Sequence, residues 1–127
     1  MTAVKKWKPE GTEHENQVAL VKWAALNLKT YPELSALYAI PNAARRSPFQ
    51  GAWMKAEGLR AGFPDIGLPV PRDPYHGLYI EMKVGKNKPT PAQCAWHERL
   101  RAFGNRVEVC YGWQEAVKVI EEYLGAK

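Results

Sequence analysis

Residues 62–84, GFPDIGLPVPRDPYHGLYIEMKV, constrain the fold more than any other part of the chain. Gly62-Phe63-Pro64 reads as a turn. Asp65-Ile66-Gly67-Leu68 then starts a strand, and Leu78 to Val84 forms a second one. The connection PVPRDPYHG, rich in proline, makes the pair a hairpin with a long loop. In the second strand Leu78, Ile80, Met82 and Val84 fall on one face, and Tyr79, Glu81 and Lys83 on the other. On alternation alone this is a half-solvated strand carrying a surface Glu-x-Lys pair, an arrangement that contributes little to stability.

Asp65 alters that reading. In a hairpin the start of one strand lies near the end of its antiparallel partner, which brings Asp65 towards Glu81. Two neighbouring carboxylates repel, and burying both without a counter-charge raises the pKa of one sharply. A divalent cation removes the conflict. Mg²⁺ suits the arrangement because it prefers oxygen ligands, keeps several waters and is held by one or two carboxylates plus a substrate phosphate. Such a cation activates water for attack on phosphorus and stabilises the leaving oxygen. Lys83, on the Glu81 face, would orient the nucleophile and neutralise phosphoryl charge.

The remaining chain surrounds the hairpin with alternating elements. Thr12 can cap a helix running to about Thr30, where Tyr31-Pro32 stops it. LYAIPN, 37–42, reads as a short strand. Ser47-Pro48 signals a helix to about Arg60. Thr90-Pro91-Ala92-Gln93 is a capping box that opens a helix to about Phe103, ended by Gly104-Asn105. Arg106–Tyr111 is a third buried strand, and Trp113–Leu124 a terminal helix. The crossover through the 90–103 helix favours a parallel neighbour for the second hairpin strand. The expected class is α/β: a mixed β-sheet flanked by α-helices. Residues 1–11, basic and containing Pro and Gly, are expected to form a flexible arm ahead of a single domain, 12–127. A chain of 127 residues with 46% apolar content can bury a core without staples.

On the first helix, Glu13, Gln17, Leu20, Val21, Ala24 and Leu28 share one stripe at 100° per residue. Its apolar members should face the sheet, which extends Glu13 and Gln17 towards the sheet edge. Glu15 falls on the opposite, solvated side. Trp23 and Leu26 fit no clean stripe and could pack on the terminal helix or a second subunit.

Charge and cysteine usage set outer bounds. Eighteen basic against 13 acidic residues, net +5, suits a polyanionic partner without singling one out. Cys94 and Cys110 form no CxxC pair and have no histidine at zinc-ligand spacing, so both read as small hydrophobes in a reducing compartment. No signal-peptide-like run or membrane-length apolar window occurs, which points to a cytoplasmic protein. His97 lies in a helix and reads as a partly buried surface residue.

Glu13-x3-Gln17, Pro64-Asp65, Glu81-Met82-Lys83 and Gln93 together resemble the PD-(D/E)XK nuclease superfamily. More closely, the chain resembles the small stand-alone VRR-NUC domains often found in phage genomes. IPN, GFPDIG, TPAQ and FGNRVEVCYGWQEAVKVI add to that likeness, which covers about residues 12–124. The resemblance implies a restriction-endonuclease-like fold. It also implies a Mg²⁺ site, with Mn²⁺ able to substitute, formed by Asp65, Glu81 and the Met82 carbonyl. Glu13 would reach the metal directly or through water, and Lys83 would be the catalytic lysine. Gln17 and Gln93 would support the site or contact the scissile phosphate. Gln93 has a competing role in the capping box, and Glu13 one as a first-turn helix charge.

The substrate expected is DNA. Asn42 with Arg45 and Arg46, and Lys86 with Lys88, follow strands in loops suited to phosphate contact. No helix-turn-helix or zinc finger is visible, so DNA shape is the expected target rather than base sequence. Stand-alone domains of this kind resemble Holliday-junction resolvases. Symmetric cutting of a junction implies a homodimer, with Trp23, Leu26, Trp53 and Met54 as candidate interface residues. If the chain is phage-encoded, it would act in the cytoplasm of the bacterial host. The alternatives are a flap or nonspecific duplex nuclease, and a non-catalytic nucleic-acid-binding module on the same fold.

Overall fold

A computed structural model describes residues 11–41 and 48–125. Its elements are α1 (Glu13–Leu26), a 3₁₀ turn (Pro32–Ala36), β1 (Tyr38–Ala39), α2 (Pro48–Ala56), β2 (Ile66–Leu68), β3 (Leu78–Lys83), α3 (Pro91–Ala102), β4 (Arg106–Tyr111) and α4 (Trp113–Leu124). Among the described residues the strands form one sheet in the order β1-β2-β3-β4. The β1–β2 and β2–β3 pairs are antiparallel, and β3–β4 is parallel. The α3 crossover therefore joins parallel neighbours, as its position in the sequence requires.

One face of the sheet is covered by α1 and α4. Leu78, Ile80 and Met82 of β3 enter a core there with Leu20 and Ala24 of α1 and Ala116, Ile120 and Tyr123 of α4. The opposite face carries α3. Phe63 meets Tyr79 of β3 edge-on, with ring centroids 5.5 Å apart, and Trp96 of α3 at 5.0 Å. With helices on both faces, β3 is enclosed. Of its six residues only Tyr79 is half-buried and the rest are buried. This corrects the half-solvated strand read from alternation: polar Glu81 and Lys83 alternate with apolar residues, yet both are covered.

The first helix departs from expectation in two ways. It ends at Leu26 rather than near Thr30, because Asn27 takes the C-cap and its Nδ2 donates to the Trp23 carbonyl at 2.8 Å. Its buried line is Asn16, Leu20 and Ala24, whereas Val21 and Leu28 are exposed. A polar residue hides this phase in the sequence. Asn16 is buried because it is satisfied: Nδ2 donates to the Thr12 carbonyl and Oδ1 accepts from the Trp113 N–H at 3.1 Å. Asn16 thus fastens the start of α1 to the start of α4. Glu15, read as solvated, is exposed but completes a capping box with Thr12. Trp23 packs on the core beside Tyr31, and Leu26 is exposed. The second helix stops at Ala56, short of Arg60.

Two glycines allow close approach where the site is assembled. A Cβ on Gly67 of β2 would lie 2.5 Å from the Tyr38 ring. Gly62 has φ +87°, and a Cβ there would lie 2.9 Å from the main chain of Ala92. The GFPD turn therefore seats directly against the first turn of α3.

Candidate active site

Four polar side chains are buried together at the end of the hairpin and the start of α3. Asp65 is 7% exposed, Glu81 1%, Lys83 6% and His97 3%. Such groups are buried only when paired or hydrogen-bonded. The strand ends explain how they meet. Ile66 is the register partner of Ile80, and the Asp65 N–H also donates to the Ile80 carbonyl at 3.1 Å. Two successive residues thus face one, the pattern of a β-bulge, which re-aims side chains near functional sites. The Asp65 carbonyl accepts from Ile40 N–H at 2.8 Å, tying it to the residue after β1.

So placed, Asp65 Oδ2 accepts from the Met82 N–H at 2.8 Å. The N–H and C=O of one strand residue leave the same edge. Lys83 directs its carbonyl to Gly112 N–H beyond β4, so Met82, its neighbour, presents its main chain on the Asp65 side. Asp65 and the Met82 main chain thus meet on one edge of β3, with Glu81 the residue before Met82 in the same strand.

Glu81 is held from α3. Gln93 Nε2 donates to Oε2 at 3.2 Å, and His97 Nε2 lies 3.3 Å from Oε1. Lys83 Nζ stands 4.0 Å from Oε2, at ion-pair distance. Gln93 also completes the capping box with Thr90: its backbone N–H donates to the Thr90 hydroxyl and its Oε1 accepts from the Thr90 N–H. Its two amide atoms thus serve both competing roles, Oε1 the cap and Nε2 the carboxylate. Burial lowers the His97 pKa, helped by Arg101 and Lys83 and opposed by Asp65. A carboxylate only accepts, so the Nε2 atom carries a proton.

His97 is the residue that sequence reasoning missed. Its signal was present: four residues after Gln93 on a helix, it shares that residue's face.

The other expected residues are placed differently. Glu13 is half-buried in the first turn of α1, where Oε2 accepts from Asn87 Nδ2 at 3.3 Å. Asn87 is anchored in turn, its carbonyl accepting from the Tyr111 hydroxyl at 2.8 Å. Among the described residues no three His, Cys, Asp or Glu side chains gather at metal-holding distance, so Glu13 does not join Asp65 and Glu81 as a third carboxylate. Gln17 is half-buried and lines a groove with His14, Val18, Val21 and Lys22. Lys86 and Lys88 are exposed in the loop that follows β3. Asn42, Arg45 and Arg46 lie outside the described residues, as do residues 1–10 of the expected arm. No helix among the described residues is long and apolar enough to cross a membrane.

The donor set fits a hard cation. It offers two carboxylates and a main-chain carbonyl, with no thiolate, and its imidazole is turned to Glu81.

Comparison with known proteins identifies relatives of this fold. The family model described as VRR-NUC domain matches residues 3–114. A solved structure described as a VRR_NUC domain protein superposes with a TM-score of 0.76 at 29% identity, covering 91% of this chain and 89% of that one. No protein with a curated description matches.

Proposed function

The chain belongs to the VRR-NUC domain family and carries its nuclease-type, restriction-endonuclease-like fold; from that premise we propose that it is a Mg²⁺-dependent DNA endonuclease selective for branched structure. The observation that carries the proposal is the buried grouping of Asp65, Glu81 and Lys83 beside the Met82 main chain. A binding module needs no such group, whose assembly costs desolvation of three charges.

In this reading Asp65, Glu81 and the Met82 carbonyl hold Mg²⁺ or Mn²⁺. The bound cation supplies Lewis acidity towards the phosphodiester and lowers the pKa of water. Asp65 is kept in place by the Met82 N–H, and Glu81 by Gln93 and His97. Lys83 contributes a fixed positive charge, which favours the extra negative charge that develops on the phosphoryl oxygens as the nucleophile adds. Because Lys83 is buried beside Glu81, its ammonium needs no reorganisation at that moment. Lys86 and Lys88, exposed just past Lys83, are placed to contact the phosphates that flank the scissile one. Glu13 acts from outside this group, through water, with Asn87 fixing its position.

Resolution of a Holliday junction needs two such sites, and hence a homodimer. Trp23 is committed to the core, which leaves Leu26 and the exposed aromatics of α2, Phe49 and Trp53, as the surface for a second copy.

The test is cleavage of labelled four-way junction, flap and linear duplex with Mg²⁺ or EDTA, for wild type, Asp65→Ala and Lys83→Ala. The expected result is Mg²⁺-dependent cutting of the junction that both variants lose. Binding without cutting under any divalent metal would establish the non-catalytic module instead. Equal cutting of linear duplex would remove the structure selectivity, and a monomer by light scattering would remove the two-site mechanism.

A further inference from the structure

We propose that His97 is a positioning residue that, with Gln93, fixes the plane of the Glu81 carboxylate; this rests on the metal-dependent reading above. A glutamate has three side-chain torsions, and the last is broad and roughly two-fold. One hydrogen bond at one oxygen leaves the carboxylate free to turn about that bond. Two donors on different oxygens do not. In this chain Gln93 takes Oε2 at 3.2 Å and His97 takes Oε1 at 3.3 Å. Both come from one face of α3, four residues apart, so the pair acts as a rigid two-point grip.

Lys83 cannot replace either donor, because at 4.0 Å its ammonium is beyond hydrogen-bond distance. Each carboxylate oxygen accepts along two lone-pair directions, so one donor per oxygen does not exhaust the acceptor capacity of a carboxylate. Burial of His97 within α3's packing against the sheet gives the imidazole little freedom of its own. The α3 start is in turn set by the contact between Gly62 and Ala92, so the turn carrying Asp65 and the helix carrying the grip are registered to each other.

The experiment compares His97→Gln, His97→Asn and His97→Leu in the full chain. The Gln amide nitrogen reaches as far along the side chain as imidazole Nε2; the Asn amide falls short, and Leu has no donor. Mn²⁺ affinity is measured by electron paramagnetic resonance titration, alongside thermal unfolding in EDTA. Partners behind metal ligands are worth about 10–100-fold in affinity, so His97→Asn and His97→Leu are expected to lose that much. His97→Gln should stay within about threefold of wild type, because the outer partner is restored. If His97→Leu does not fold, the Gln and Asn pair decides, since both are polar amides. Unchanged Mn²⁺ affinity in folded His97→Asn, or equal losses in Gln and Asn variants, overturns the proposal. If wild type binds no Mn²⁺, or Asp65→Asn leaves binding intact, the metal reading itself fails and takes this inference with it. Loss in Asp65→Asn with no loss in His97→Asn sinks the grip alone.

Discussion

Lys83→Met separates the structural from the chemical role of the buried ammonium. Methionine keeps the unbranched apolar stem of lysine as far as Cε and removes the ammonium group. Lys83 Nζ is 4.0 Å from Glu81 Oε2, with side-chain exposures of 8% and 1%. At an effective dielectric of about 20, that separation corresponds to about 4 kcal/mol of attraction. The ammonium's own desolvation offsets part of this, but its removal takes from the buried Glu81 carboxylate the cation 4.0 Å away. Breaking a buried pair in this way costs about 3 kcal/mol or somewhat more. For a domain of this size that lowers Tm by roughly 10 °C in EDTA. A divalent ion supplies the missing charge, so Mn²⁺ should stabilise the variant more than the wild type, where the ammonium already competes. An ion present at about 100 times its Kd adds about 2.7 kcal/mol to the form that binds it, enough to recover most of the loss. DNA cleavage, in contrast, should stay depressed by about 10²–10³ at saturating metal, since the fixed charge facing the phosphate is gone. The assay is thermal unfolding in EDTA and across a Mn²⁺ series, with cleavage rates on the same preparations. A Tm in EDTA within about 3 °C of wild type would refute the reasoning, because that is under 1 kcal/mol. So would a Mn²⁺ increment larger in the wild type than in the variant.

Other outcomes are fixed by local geometry. Gly62→Ala places a Cβ 2.9 Å from the Ala92 main chain at φ +87°, so it should destabilise by about 1–2 kcal/mol or more and slow cleavage by shifting Asp65 against α3, read by urea unfolding and initial rates. Cys110 is buried and its pKa is pushed up to about 12, chiefly by burial, whereas Cys94 is exposed. Iodoacetamide at pH 8 should therefore label only Cys94 in the native protein and both residues in urea, as mass spectrometry would show. Because the folded pKa of Cys110 lies above its unfolded value of 9.0, its contribution to stability is complete below pH 9 and is lost as pH rises towards 12. Cys110→Ala should flatten that alkaline decline in a series of unfolding curves.

Much of this protein was legible in the chain itself. The helix cap at Thr12, the capping box at Thr90, the GFPD turn, and the crossover from β3 through α3 to β4 are local signals, because caps and turns depend on neighbours within a few residues. Alternation put Glu81 and Lys83 on one face, where they lie 4.0 Å apart, and strand pairing brought Asp65 to the Met82 N–H between them. What the sequence could not convey was which faces are covered. Burial of β3 on both sides depends on α3 folding back over Glu81, through contacts between residues 12 and 16 positions apart. The inward phase of α1 depends on Asn16, a polar residue buried only because Trp113, 97 residues away, offers an N–H. His97 looked like an ordinary helix residue until tertiary packing placed Glu81 against it. Sequence alone determined the element order and the three ionisable groups of the hairpin, since both follow from periodicity and short-range chemistry. Only the folded structure decided their environment, because desolvation and hydrogen-bond satisfaction are properties of what lies across the interface and not of the residue itself.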